Sequence, residues 1–410
     1  MKKSLVALAA LAFVGAASAQ STVTLFGVVD ATYQHGSGST AAGGNSVSRL
    51  GNSGYNSSRL GFRGVEDLGG GMWAGFWLEA GLNNDNGTGA GTSSNNQWNG
   101  GTATVGGTTS ATGAVTTRGI QGLTFNRRST VSLGGNWGEL RMGRDYTPAF
   151  WNYTVFDPFG TNGVGTNIVL TTYIGGVTAA GLGTSSGGAT SVRASNSIQY
   201  LTPGCQTPAG CTGFYGQAMY AMGENASPAA NSNDGRHIGF RAGYAQGPFN
   251  VALGYGKTSS NAAAAVAGAS PIIDGNFNEW NIGGSYDFGV AKLIGQYNRQ
   301  NQDDANGTVG VNVTAKGYLL GGLIPAGPGT VRLSYSHQSV SSAGTNVATF
   351  GQWAAGYVYD FSKRTSAYVT YARVNNPSSN TPGFAVGLNG AASTVGNSSS
   401  GYDIGLKHTF

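Results

Sequence analysis

The chain is short of charge. Only 10% of its 410 residues are Asp, Glu, Lys or Arg, where a soluble domain carries about 25%, and this argues against an ordinary soluble globule. Long hydrophobic runs are missing as well. Hydrophobic residues total 40% and mean hydropathy is -0.13. Beyond residue 20 nothing approaches the roughly 17 to 25 consecutive apolar residues of a spanning helix; the longest comparable stretch is the Ala-rich Ala262 to Ala269. Membrane-spanning helices are therefore not expected. Basic residues are scattered singly or in pairs, whereas nucleic-acid binding calls for a clustered basic face, so no nucleic-acid partner is expected. Histidine is scarce. His35, His237, His337 and His408 are the only four, and none sits in a catalytic or metal-binding string, so neither a metal nor a cofactor is expected.

Glycine and aromatics fill the space those absences leave. Glycine supplies 71 of 410 residues, well above the usual share of about 7%. The 7 Trp, 19 Tyr and 17 Phe carry too much aromatic surface for a disordered chain. No linker divides the sequence, although a length near 390 residues would ordinarily split into two domains.

Residues 1–19 read as a secretory signal peptide. Lys2 and Lys3 form a positive n-region, Leu5 to Gly15 an apolar segment, and Ala17-Ser18-Ala19 a small-x-small cleavage pattern. Cleavage there leaves 410 - 19 = 391 residues, 20–410, and a formal charge of +5 - 2 = +3. For an exported chain, the pair Cys205 and Cys211 in PGCQTPAGC favours a short-loop disulfide. Metal ligation lacks supporting histidines, and C-x5-C is no established zinc spacing.

Hydrophobicity alternates with period two. Val23, Leu25, Gly27, Val29, Ala31 and Tyr33 alternate with Thr24, Phe26, Val28, Asp30 and Thr32; similar alternation runs through Phe249 to Gly256 and Tyr402 to Phe410. Such spacing sends alternate side chains to opposite faces of a strand. Segmentation by this rule yields about sixteen strands of about 8 to 13 residues, the length that crosses a bilayer obliquely. Short turns at 67–70, 135–138, 246–248, 287–290, 325–329 and 360–363 alternate with long polar loops, including 84–124 and 146–192. This describes an all-β, antiparallel transmembrane barrel. Backbone groups in hydrocarbon must all be paired, so a sheet there closes on itself. Trp73, Trp77, Trp137, Phe249, Phe288, Phe361 and Phe410 flank the short turns, where an aromatic girdle is expected.

Several segments resemble the general trimeric porins of Gram-negative outer membranes, in their β-proteobacterial branch: TLFGVVD near the start, SSRLGFRGVEDLGGGMWAGFWLEA at 57–80, FNRRSTVSLGGNWGELRMGRD at 125–145, RASNSIQY at 193–200, YVYDFSKRTSAYVTYARV at 357–374 and the terminal GLKHTF. Their order spans nearly the whole mature chain. The resemblance implies a 16-stranded barrel in the cell outer membrane, a homotrimer amid lipid and lipopolysaccharide, and a third loop folded into the lumen. It further implies that Phe410 ends a C-terminal strand read by the barrel-assembly machinery, and that small hydrophilic solutes and ions pass by diffusion. The cysteines would lie in a periplasmic turn, peripheral to conduction, and the loop 84–124 is a candidate latch onto a neighbour.

On this sequence the third loop runs from about Tyr146 to Val192, with Asp145 at its start and Asp157 as its acids. Arg59 and Arg63 share one strand face, and Arg128 and Arg141 lie on neighbouring strands. By alternation they oppose Leu60, Phe62, Val131, Leu140 and Met142, and so face the lumen as a basic wall. Arg144 and Arg193 are placed at the rim, and Glu66 and Glu79 are read as lumen acids. Such arginines could be solvated lumen residues, partners of Glu66 and Glu79, or pore-lining charges that tune selectivity, and their excess over loop acids predicts a weak anion preference. Trp151, Tyr153 and Phe156 either pack the loop on the wall or form a track for sugars; a channel specific for a sugar or organic anion is the alternative on the same fold. An enzyme is disfavoured: Gly183-Thr184-Ser185-Ser186-Gly187 matches G-x-S-x-G but lacks the strand-to-helix elbow that gives the motif meaning.

Overall fold

The computed structural model describes residues 22–40, 43–89, 96, 122–170, 192–205, 210–223, 233, 235–260, 275–303, 312–376, 384–387, 393 and 396–410. The signal segment and the Gly183 to Gly187 motif lie outside them. The strands are β1 (Thr22–Thr40), β2 (Gly43–Asn52), β3 (Arg59–Gly69), β4 (Met72–Asn83), β5 (Thr88–Gly89), β6 (Arg128–Gly135), β7 (Gly138–Tyr146), β8 (Arg193–Leu201), β9 (Gly213–Ala221), β10 (His237–Gln246), β11 (Phe249–Ser260), β12 (Gly275–Asp287), β13 (Lys292–Gln302), β14 (Val313–Ala326), β15 (Gly329–Ser342), β16 (Thr345–Asp360), β17 (Thr365–Asn375) and β18 (Ser398–Thr409). A helix, α1, spans Pro148–Val155.

Eighteen segments make sixteen wall positions. β3 pairs with the first part of β1, Thr22 to Val28, and β2 with its remainder, Ala31 to Thr40, so the two share one place in the wall. β5 is a two-residue extension on β4. The count is thus 18 - 2 = 16. All neighbours are antiparallel, and β18 returns to β1 over Val28 to Ser37, which closes the sheet. Phe410 completes the seam: its N–H donates to the Gly27 carbonyl and the Gly27 N–H to the Phe410 carbonyl, each at 3.1 Å. Its ring lies so close to Gly27 that a Cβ there would come within 2.3 Å of Cζ, which requires glycine at that position.

Pleat parity separates two environments. On β1, Val28, Asp30, Thr32 and Gln34 are buried inward, while Val23, Leu25, Val29 and Tyr33 are exposed outward. Around the wall the outward set is apolar, as in Phe240, Leu253, Ile282, Leu320, Leu333 and Val369. The inward set is polar, as in Gln199, Gln217, Asn281, Asn298, Gln300, Gln338 and Gln352. Apolar outside and polar inside is the inverse of a water-soluble barrel and matches a lipid exterior around a wet lumen.

Two features differ from the sequence expectation. Residues 36–40 and 43–52 are paired strand instead of loop; their many Gly and Ser residues give little apolar alternation. Trp73 and Trp77 are not in a girdle. Both share the inward parity of Glu79, and the outward places on β4 go to Met72 and Phe76. Trp137, Phe249, Phe288, Phe361 and Phe410 are exposed near the turn end. Asn96 of the 84–124 loop is bonded to β8: its amide donates to the Ser195 carbonyl at 2.7 Å and accepts from the Ser195 N–H at 2.8 Å.

Candidate functional site

The lumen is narrowed by residues 147–170. Thr147 caps α1, accepting from the Phe150 N–H at 3.4 Å, and Pro148 occupies the first turn, where no intrahelical N–H is needed. The helix lies inside the barrel with Phe150, Trp151 and Tyr153 buried. The wall fastens this loop at many points. Asn281 donates to the Ala149 carbonyl at 3.0 Å, Asn152 to Ala252 at 3.0 Å, Gln296 to Phe156 at 3.2 Å, Arg332 Nε to Pro158 at 2.6 Å and Gln352 to Thr166 at 2.7 Å. The Val164 N–H donates to Asp403 at 2.7 Å and the Ile168 N–H to Ser336 at 3.0 Å. The loop therefore crosses the lumen and lies along β11 to β16 and β18. Tyr153 and Phe156, both fully buried, pack it there, while Trp151 lies at the edge of the open space.

Between this loop and the wall of β3, β4, β6 and β7 lies a cavity of about 640 Å³. Arg59, Arg127, Arg128, Glu79 and Asp145 line one side, and Thr154, Asp157, Thr161, Lys292 and Arg332 the other. Arg127 Nε meets Glu79 at 2.5 Å, and Arg59 Nε lies 3.8 Å from the same oxygen. Arg141 is held by both oxygens of Glu139, at 2.8 and 2.9 Å, and by Asp145 at 2.6 Å, which Arg128 also approaches at 3.5 Å. Tyr146 accepts from Arg127 at 3.1 Å and from Arg193 at 2.9 Å. Arg144 donates to the Asn126 carbonyl at 2.6 Å and to Ser195 at 2.7 Å. Counting Arg59, Arg127, Arg128, Arg141, Arg144 and Arg193 against Glu79, Glu139 and Asp145 gives 6 - 3 = +3.

The geometry redistributes the residues expected from sequence. Arg59 and Arg128 line the cavity. Arg63 faces inward but stacks on Phe26 and Trp77, with its guanidinium carbon 5.4 and 5.1 Å from the ring centroids, below the narrowing. Arg141 is neutralised within its own strand by Glu139 and Asp145. Asp145 belongs to β7 and not to the loop, so it screens the basic wall instead of opposing it. Asp157 is in the loop and braces it, accepting from the Phe159 N–H at 2.8 Å, the Thr161 N–H at 3.2 Å and Asn167 at 2.7 Å. Burial there pushes its carboxyl above the ordinary range, against those hydrogen bonds and the Arg332 charge. Glu79 is a lumen acid, whereas Glu66 is not: it has the outward parity of Leu60 and Phe62 and pairs with Ala74 near the exposed turn. Cys205 and Cys211 are joined in a disulfide.

Four participants went unread in the sequence. Arg127 precedes β6, where the pleat rule that would turn it away from Arg128 does not yet operate. Glu139 sits two residues from Arg141, a same-face pair that was legible. Arg241 and Arg332 alternate with Phe240 and Leu333 and so were predictable as inward-facing.

The comparisons with known proteins agree with this geometry. A Gram-negative porin family model matches residues 5–379. The chain belongs to the Gram-negative porin family. Outer membrane porin protein 32 of Delftia acidovorans is 36% identical over 414 residues, covering 100% of both chains. A Bordetella pertussis outer membrane porin is 31% identical over 91% of this chain and 94% of its own. Among solved structures, an anion-selective porin from Comamonas acidovorans superposes with a TM-score of 0.72 at 32% identity, covering 95% of this chain and 100% of that one. OmpT of Vibrio cholerae, at 13% identity and a TM-score of 0.62, shares the fold. This porin is thus an outer-membrane channel.

Proposed function

We propose that this porin passes small hydrophilic solutes and ions by diffusion, with a preference for anions, and that Arg59, Arg127 and Arg128 are the fixed charges an ion meets at the narrowest point. The observation that carries the reading is the imbalance of six arginines against three carboxylates on one wall. Fixed charge in a narrow, partly desolvated passage raises the local concentration of the opposite ion. The anion-selective Comamonas relative supports the same sign. Reversal potentials in a planar bilayer under a salt gradient test it: chloride preference is expected, and potassium preference overturns it. Conductance that rises linearly with salt fits general diffusion; saturation by one sugar or organic anion would assign a specific channel instead.

The remaining features follow the family. The mature chain of residues 20–410 forms one barrel domain after removal of 1–19, assembles as a homotrimer in lipid and lipopolysaccharide, and enters the membrane through the assembly machinery that reads the strand ending in Phe410. Its work is transport and not catalysis. Trimer mobility on a gel before boiling, and monomer mobility after, tests the assembly.

A further inference from the structure

The turn-end disulfide lies inside the molecule's working parts. Cys205 is 3% exposed and packs in one cluster with Phe156, Tyr215, Ala245, Ala252 and Ile294, with Val155 and Cys211 against it. Phe156 and Val155 belong to the constriction loop. The wall is shaped to receive Phe156: a Cβ on Gly283 would lie 2.2 Å from its ring, so that position of β12 admits glycine only. Above the disulfide sits Arg241 of β10, 2% exposed. Its guanidinium reaches three separate segments at once. Nε donates to Asn152 of α1 at 2.5 Å, Nη2 to the Tyr215 hydroxyl at 3.3 Å, and Nη1 points to Cys211 Sγ at 3.9 Å. Asn152 and Tyr215 are themselves tied down, by Ala252 at 3.0 Å and Asn250 at 2.8 Å.

Arg241 differs from the arginines of the basic wall. Among the described residues no carboxylate comes within ion-pair distance of it; its partners are neutral acceptors and the faces of Tyr215 and Trp151, at 4.9 and 6.0 Å. Burying a cation without a counter-charge is costly. An apolar side chain would fill the site without that cost. What the planar fork adds is simultaneous, directional contact with α1, β9 and the disulfide turn.

We infer that Arg241 and the Cys205–Cys211 disulfide form a strut that positions the constriction loop from the turn end of the barrel. Arg241 is a positioning residue, and the disulfide, expected to be peripheral, is the strut's foot. The inference rests on the reading of residues 147–170 as the constriction, and it is independent of which ion the pore prefers.

Single-channel recording of the full-length protein tests it. Dithiothreitol added to the turn-end compartment after insertion reaches a barrel that is already folded, through half-buried Cys211 and its exposed neighbours Gly210 and Thr212. Reduction is expected to change single-channel conductance and raise open-channel noise. The double variant C205S/C211S should do the same and be insensitive to the reagent. Arg241→Gln should match it, and combining the two should add little, because parts of one strut are not independent. Arg241→Lys keeps the charge but not the fork: noise should rise while the reversal potential stays as in the wild type. Unchanged conductance and noise on reduction, or effects of Arg241→Gln and C205S/C211S that sum, overturn the inference. A failure of chloride preference in the unmodified protein sinks the proposed selectivity and leaves the strut standing.

Discussion

Glu79 is the most informative single charge in the pore. It lines the cavity, accepts from Trp77 at 3.2 Å, and faces Arg127 at 2.5 Å and Arg59 at 3.8 Å. Glu79→Gln keeps shape and an acceptor while removing one negative charge, which takes the wall from 6 - 3 = +3 to 6 - 2 = +4. An ion passing about 7 Å away in water feels one unit charge as about 0.6 kcal/mol, roughly one RT. Chloride gains that amount and potassium loses it, so the permeability ratio would shift by about sevenfold without screening. At about 0.1 M salt the Debye length is about 10 Å, which halves the energy and leaves roughly a threefold shift toward chloride. Reversal potentials of variant and parent under one salt gradient measure it, and repeating them in stronger salt should shrink the difference. A ratio that does not move, or moves toward potassium, with heat-modifiable mobility showing an intact barrel, refutes the electrostatic account of the constriction.

Other outcomes follow from the same contacts. Asp145→Asn strips a 2% exposed carboxylate from Arg141 and Arg128; leaving buried charge uncompensated should cost about 3 kcal/mol, seen as a lower temperature for the folded-to-unfolded gel transition. Burial raises the Asp157 carboxyl above the ordinary range, so acidification neutralises it sooner than a solvated aspartate. Each protonation makes the constriction more positive; chloride preference should grow as pH falls into that window, and Asp157→Asn should remove this part of the pH dependence. Leu320→Arg on the outward face of β14, where Leu320 is 62% exposed, should cost about 2 to 4 kcal/mol if that face meets lipid at mid-depth, and refolding yield into vesicles would report it; an unaffected yield would contradict the assigned parity.

Much of the barrel was legible because its rule is local. A side chain's face depends only on its place in a period-two pattern, so the lumen positions of Arg59, Arg63, Arg128 and Arg141 could be read beside Leu60, Val131 and Met142. The same rule fails where the backbone leaves the pleat or both faces meet water. Arg127 stands one residue before β6, Glu66 lies beside the irregular register at Asp67 to Gly69, and the strand residues 36–40 and 43–52 are too rich in Gly and Ser to show a clear alternation. Girdle and lumen were also confused at Trp73 and Trp77, since an aromatic beside a turn is compatible with either face.

The sequence by itself determined an exterior for lipid, an interior for water, a closed antiparallel wall and an excess of arginine on its early strands; these follow from composition and alternation, which act residue by residue. Only the tertiary structure decided how much of that charge is effective. Arg127 and Arg59 converge on Glu79, Asp157 turns inward to brace the loop, and Arg241 and the disulfide meet Asn152 and Phe156 of that loop. The loop-to-wall contacts join residues as far apart in sequence as Val164 and Asp403, and depend on where a folded loop comes to rest, which no local period encodes.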